Sequence, residues 1–156
     1  MKTRVISVGK LSLPFLRDGV ADYAARISRY IPFNQIELRE EKGGKSSDPV
    51  RLIAGEGSRI LGKVPSGAFL VVLDEAGKQL GSEDLADLFR RLMNSGTQDL
   101  AWVIGGPYGL SPDVKNRGDL VLSLSSMTLP HQLARLILFE QIYRAMTILR
   151  GEPYHH

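Results

Sequence analysis

Short apolar runs and longer stretches of helical spacing take turns along this chain. "RVISVG" (residues 4–9) is a brief run rich in β-branched residues and closed by Gly9, the pattern of a strand. Beyond it Val20, Tyr23, Ala24, Ile27 and Ile31 recur at helical spacing, and Pro32 stands where that helix should stop. "NQIELRE" (34–40) is a weaker strand candidate, and "EKGGKSSDP" (41–49), rich in Gly, Lys and Ser, reads as a loop. A helix is predicted over about residues 49–61. "AFLVVLD" (68–74) follows, apolar throughout like a strand covered on both faces.

"SEDLADLFRRLMNSG" (82–96) is the clearest helix, with Ser82 as its expected cap, Glu83 and Asp84 at its positive end and Gly96 to close it. "DLAWVIGG" (99–106) then reads as a strand, "SPDVKN" (111–116) as a short helical turn, and "LVLSLS" (120–125) as a last strand. A long helix is predicted from about Leu129 to Leu149, ended by Gly151. Strands alternating with helices predict an α/β fold, a parallel-type sheet covered by helices, in one domain spanning residues 1–156. In the last helix Leu133, Leu136, Ile137, Leu138, Phe139, Ile142, Tyr143, Met146 and Leu149 surround most of the circumference. One sheet cannot cover that much apolar surface, so the helix is either central to a single domain or half of a homodimer seam.

Composition narrows the class. With 156 residues, 43% apolar and 24% charged, the chain has enough material for one full core. No apolar run approaches the roughly 20 residues of a membrane helix. The opening "MKTRVISVGK" is too polar for a signal peptide, and a cytoplasmic location is expected. There is no cysteine, so disulfides, thiol catalysis and thiolate metal sites are excluded. Net charge is +3, but the excess sits in the first third: Lys2, Arg4, Lys10, Arg17, Arg26, Arg29, Arg39, Lys42 and Lys45. Such a face is either ordinary solvated surface or a footprint for a phosphate backbone.

In open parallel sheets, ligands bind beyond the carboxyl ends of the strands. The loops expected there are "LDEAGK", "IGGPYGLS" and "SLSSMTLPHQ". Gly105 and Gly106 permit close backbone approach, and Gly109 an unusual dihedral. Neither a P-loop nor a G-x-G-x-x-G after the first strand is present, which argues against a standard nucleotide site. The hydroxyls of Ser123, Ser125, Ser126 and Thr128 can seat a polar ligand, or Ser126 or Thr128 can merely cap the helix. G-x-S-x-G does not occur, so a serine hydrolase is poorly supported. His131, His155 and His156 are the only histidines and lack the i, i+4 spacing of a metal pair, so no metal is expected.

"VIGGPYGLS", "LSLSSMTLPHQLARLILFEQIYRA" and "GEPYHH", in this order and spacing, resemble the bacterial ribosomal large-subunit pseudouridine N3-methyltransferase family of the SPOUT superfamily. "VISVGK" and "LDEAGK" add to the resemblance, which spans essentially the whole chain. It implies an α/β sheet whose C-terminal part is threaded into a trefoil knot, against the usual topology rules. It also implies S-adenosylmethionine as methyl donor and a homodimer packed through the last helices. By motif match, Leu73, Gly105, Gly106 and the run Leu124, Ser125, Ser126, Met127, Thr128, Leu129 and Pro130 contact the donor. The implied reaction is methylation of N3 of a pseudouridine in 23S rRNA, on the assembled ribosome.

Methyl transfer from a sulfonium needs alignment and shelter, and the proton on N3 needs an acceptor. The "PYH" match, together with the shortage of other ionisable groups near these loops, assigns Tyr154 and His155 to the target base, with His155 as first proton acceptor. The tail is expected to fold over a donor pocket, its own or the partner's. Arg144 and Arg135 fall on the more polar side of the helix and are, with Lys10 and Tyr154, the RNA-binding candidates. The resemblance suggests an RNA contact for Arg144, whose other expected role is an i, i+4 pair with Glu140. Lys10, after the first strand, is a phosphate candidate. His131 either lines the site or serves the fold. The rival readings are a SPOUT methyltransferase acting on tRNA or another rRNA position, and a non-catalytic flavodoxin-like nucleotide-binding module.

Overall fold

A computed structural model describes residues 1–43 and 47–156. Gly44, Lys45 and Ser46 lie outside the described residues, and with them the middle of the loop predicted at 41–49 and one basic residue of the first third. The chain runs β1 (Lys2–Val8), α1 (Pro14–Ile27), β2 (Phe33–Leu38), α2 (Pro49–Leu61), β3 (Phe69–Gln79), α3 (Ser82–Asn94), β4 (Asp99–Ile104), α4 (Pro112–Arg117), β5 (Leu120–Ser123) and α5 (His131–Arg150). The strands form one parallel sheet in the order β2-β1-β4-β3-β5. A flavodoxin-like sheet has the order 2-1-3-4-5. The exchange of β3 and β4 removes that rival as a fold.

Both faces of the sheet are covered, as the apolar runs of the central strands require. On one face Val5, Val71, Leu100, Trp102 and Ile104 pack under α1, α3 and α5. Trp102 stacks on Phe89 of α3, with centroids 5.8 Å apart, and Phe33 meets Phe139 of α5 edge-on at 5.3 Å. On the other face Ile6, Val8, Leu70, Val72 and Val103 are covered by Ile60 of α2 and Val114 of α4. The long last helix is therefore central to its own layer, with Leu138, Phe139, Ile142 and Met146 fully buried. Leu133, Leu136, Ile137, Tyr143, Ile148 and Leu149 on the same helix remain half-buried.

Three local expectations need correction. Ser82 does not cap α3: the cap position is Gly81, whose N–H donates to the Asp84 carboxylate at 3.1 Å, while the Ser82 hydroxyl donates to Gln141 at 2.7 Å. α5 starts at His131, because Pro130 in extended conformation holds the preceding segment out of the helix, and neither Ser126 nor Thr128 caps it. The third is β3, which does not end at Asp74 but continues to Gln79.

That extension shapes the functional end of the sheet. Leu122 of β5 pairs with Leu73 on the first limb of β3 and also with Lys78 on its second limb, so the intervening residues bulge out of the ladder. A Cβ on Gly77 would lie 2.7–2.8 Å from the backbone C and N of Leu122 and the N of Ser123. No side chain fits there. Gly77→Ala is expected to lower the urea unfolding midpoint by the equivalent of about 1–3 kcal/mol. An unchanged midpoint would contradict this close approach.

Candidate functional site

A cavity of about 720 Å³ opens at the carboxyl ends of β3, β4 and β5. Its walls are the bulge of β3 (Leu73–Ala76), the turn after β4 (Ile104–Leu110), the loop after β5 and the first turn of α5. The turn after β4 folds tightly because Gly109 adopts φ +82° and donates its N–H to the Gly106 carbonyl at 3.1 Å. A Cβ on Gly105 would strike the Gly109 carbonyl at 2.8 Å. In the loop after β5, the Ser123 hydroxyl donates to the Ser125 carbonyl at 2.9 Å, and the Ser125 hydroxyl accepts the Met127 N–H at 2.9 Å. These hydroxyls hold the loop in shape.

Of the donor-contact residues named above, Leu73, Gly105, Gly106, Leu124, Ser125, Met127, Thr128, Leu129 and Pro130 all line this cavity, whereas Ser126 does not. His131 lines it too, and its Nε2 has no hydrogen-bond partner. Three charged residues that were not named as site candidates also border it: Asp74, Glu75 and Lys115. Asp74 accepts the Ala76 N–H at 3.0 Å and pairs with Lys115 of α4 at 2.5 Å. Burial pushes the Asp74 carboxyl up, but Lys115 and the Ala76 N–H outweigh it and hold it below the ordinary carboxylate value. Among the described residues no group of three or more His, Cys, Asp or Glu is placed to hold a metal ion. The volume falls in the range of small-molecule sites.

The tail forms a second group, apart from the first. Tyr154 and His155 do not line the cavity of their own chain. They lie beside Arg144, roughly 20 Å beyond His131 along α5 at 1.5 Å per residue. Arg144 donates to Glu140 at 2.6 and 3.0 Å and to His155 Nδ1 at 3.3 Å, and its guanidinium covers the Tyr154 ring at 4.7 Å. Of the two roles considered for Arg144, the i, i+4 pair with Glu140 is present, and the same side chain neighbours the tail. The Tyr154 hydroxyl donates to Glu140 at 3.2 Å, with Tyr23 3.5 Å away. Nearby the Tyr30 hydroxyl donates to Glu152 at 2.6 Å.

Arg135 has a different role from the one expected. Its side chain is 4% exposed, pairs with Glu37 at 3.0 Å and donates to the Gly9 carbonyl at 2.7 Å. It ties α5 to the ends of β1 and β2 and offers nothing to RNA. Burial lowers its pKa, opposed by Glu37. Lys10, by contrast, is exposed. The Ser12 N–H donates to Gln132 at 2.8 Å, which places this loop at the cavity end of α5.

The phenols report on tail docking. The hydrogen bond to Glu152 pushes Tyr30 up to about 12, and burial, then Tyr23 and Glu140, raises Tyr154. A raised phenol stabilises the folded state fully below its unfolded pKa near 10, and that contribution is lost as pH rises through the folded value. Ultraviolet titration should therefore show two tyrosines ionising late, with Tyr154→Phe removing one of them. Simultaneous ionisation of every phenol near pH 10 would contradict the docked tail.

The family described as "Predicted SPOUT methyltransferase" matches residues 1–155. The chain is 51% identical over 156 residues to the ribosomal RNA large subunit methyltransferase H of Syntrophotalea carbinolica, covering 100% of this chain and 99% of that protein. It is 46% identical to the protein of the same name from Trichlorobacter lovleyi, covering 100% of both. The fold is similar to the crystal structure of tRNA (m1G37) methyltransferase from Aquifex aeolicus. There the TM-score is 0.58 at 13% identity, over 100% of this chain and 75% of the other. A match over nearly the whole length, and relatives at this identity, establish that the chain belongs to the SPOUT methyltransferase family.

Proposed function

We propose that this protein transfers a methyl group from S-adenosylmethionine to N3 of a pseudouridine in 23S rRNA, in the cytoplasm, on the assembled ribosome. The observation that carries this reading is the full-length similarity to large-subunit rRNA methyltransferases at 46–51% identity, joined to a cavity lined by the residues expected to hold the donor. When bound, the donor supplies an electrophilic methyl on a sulfonium. Leu73, Gly105 and Gly106 and the loop 124–130 would hold it through main-chain groups and shelter it from water.

The proton on N3 must leave, and His155 is the proposed acceptor. Its Nδ1 already accepts from Arg144, so that lone pair is engaged while the tail rests on α5. A phosphate taken up by Arg144 would free Nδ1 next to the target base. Tyr154, edge-on to Tyr143 with ring centroids 4.8 Å apart, would orient that base. Lys10 adds a phosphate contact near the cavity.

The tail is too far along α5 to serve its own cavity in this arrangement, which favours a homodimer in which it reaches the partner's. Half-buried Leu133, Leu136 and Ile137 on α5, with exposed Leu13, Phe15 and Met127, supply an apolar seam. The pairing of β5 with both limbs of β3 supports threading of the C-terminal segment into a knot.

Ribosomes from a strain lacking this protein should gain one methyl on incubation with it and labelled donor, and mass mapping should place that methyl on a pseudouridine. Methylation of tRNA instead would overturn the substrate assignment. Truncation after Gly151 should abolish transfer and spare donor binding, and full activity without the tail would end its assigned role. Lys10→Ala should weaken RNA binding and reduce the salt slope by about 1, whereas an unchanged slope would remove Lys10 from the interface.

A further inference from the structure

Among the described residues that line the cavity, Lys115 is the only lysine or arginine. Its ammonium faces Asp74 across the mouth, and the Asp74 side chain is 14% exposed against 40% for Lys115. The pair joins two elements that move independently in sequence, the β3 bulge and the short helix α4. Around it, the Ser123 and Ser125 hydroxyls are engaged within their own loop. The wall therefore presents apolar residues, the polar side chains of Tyr108, Thr128 and His131, and one opposed pair of charges with its neighbour Glu75.

A methyl donor with a sulfonium and an α-amino acid end presents a carboxylate and an ammonium on one carbon. A cation and an anion held close together and only partly hydrated can read such an end through two charge-assisted hydrogen bonds. The main chain of the glycine turn can serve the nucleoside, but it carries no net charge. We propose that the Asp74–Lys115 pair recognises the amino-acid end of the methyl donor, Lys115 taking its carboxylate and Asp74 its ammonium. This inference rests on the reading of the cavity as a donor site.

Entry of the ligand exchanges one ion pair for two and leaves the local net charge unchanged. Removal of the cationic partner leaves Asp74 and Glu75 facing an incoming carboxylate, which is repulsive. The reaction product keeps the same amino-acid end. The pair therefore contributes equally to donor and product, and discrimination between them falls to the groups around the sulfur. Lys115 and Asp74 are positioning residues in this scheme and touch no reacting atom.

The test is calorimetric titration of the full chain with three ligands: S-adenosylmethionine, S-adenosylhomocysteine, and 5′-methylthioadenosine, which lacks the amino-acid end. Lys115→Ala is expected to weaken the first two about tenfold and to change the third less than about twofold. Lys115→Arg should restore most of the loss. Equal weakening of all three ligands would show that the pair merely braces α4 against the bulge, and undiminished binding of the first two would overturn the proposal directly. Failure of the unaltered chain to bind any of the three would overturn the donor site itself, and this inference with it. Thermal melting of the unliganded variant separates a folding defect from a binding defect.

Discussion

At Gly77 the second limb of β3 runs so close to the backbone of β5 that a single added carbon would overlap Leu122 and Ser123. This steric constraint sets the geometry of the working end of the molecule. Because both limbs of β3 pair with Leu122, the residues between them cannot stay in the ladder, and Asp74 to Ala76 are forced outward to form one wall of the cavity. The same pairing fixes where β5 ends, and so where the loop 124–130 begins. The tight turn at Gly105–Gly109 closes the third side. The shape of the cavity is thus set by the path of the main chain, and Asp74 and Lys115 add a charged corner.

α5 carries three unlike tasks along one cylinder, which explains why its apolar residues surround it so fully. Its middle fills the core between α1 and α3, its first turn borders the cavity, and its last turns hold the tail. The cost of placing Arg135 in the buried stretch is offset by Glu37 and the Gly9 carbonyl, and removing either partner leaves an uncompensated charge. That buried tether fixes the start of α5 against the ends of β1 and β2, and so fixes His131 and Gln132 relative to the Lys10 loop. Precision at the mouth of the site therefore comes from a residue that faces away from solvent.

Much of this was legible in the chain, for reasons that differ by element. The strand and helix order follows from periodicity, which is local, and β1, β4 and β5 fall where their apolar runs do. The bulge was not legible, because Glu75, Ala76, Gly77 and Lys78 have the composition of a loop and are in a strand only through the pairing with β5. The exchange of β3 and β4 in the sheet is equally non-local. Arg135 reads as a polar-face residue because its partner Glu37 lies 98 positions away in sequence. The Asp74–Lys115 pair escaped for the same reason, since nothing in "SPDVKN" signals a cavity wall. The motif residues were found by resemblance, and Ser126 shows the limit of a contiguous run: the loop turns it away while both neighbours line the cavity.

The distance between the cavity and the tail follows from the chemistry proposed for them. A sulfonium becomes neutral as it gives up its methyl, so its half of the site needs a dry, shaped wall and little added charge. The nucleobase half must recruit a polyanion, lose a proton and tolerate water until the substrate arrives. A guanidinium beside the sulfonium would repel it unless an anion neutralises it, and Glu140 does so for Arg144. Placing Arg144, Tyr154 and His155 on the far turns of α5 keeps them off the donor wall, where they stay satisfied by Glu140 and Tyr23. Two such chains packed head to tail along α5 would bring the halves together only across the seam. If the proposed homodimer forms, the small size of the protein is reconciled with a demanding substrate: each half of the site would be held within one chain, and the ribosome and the second subunit would complete it.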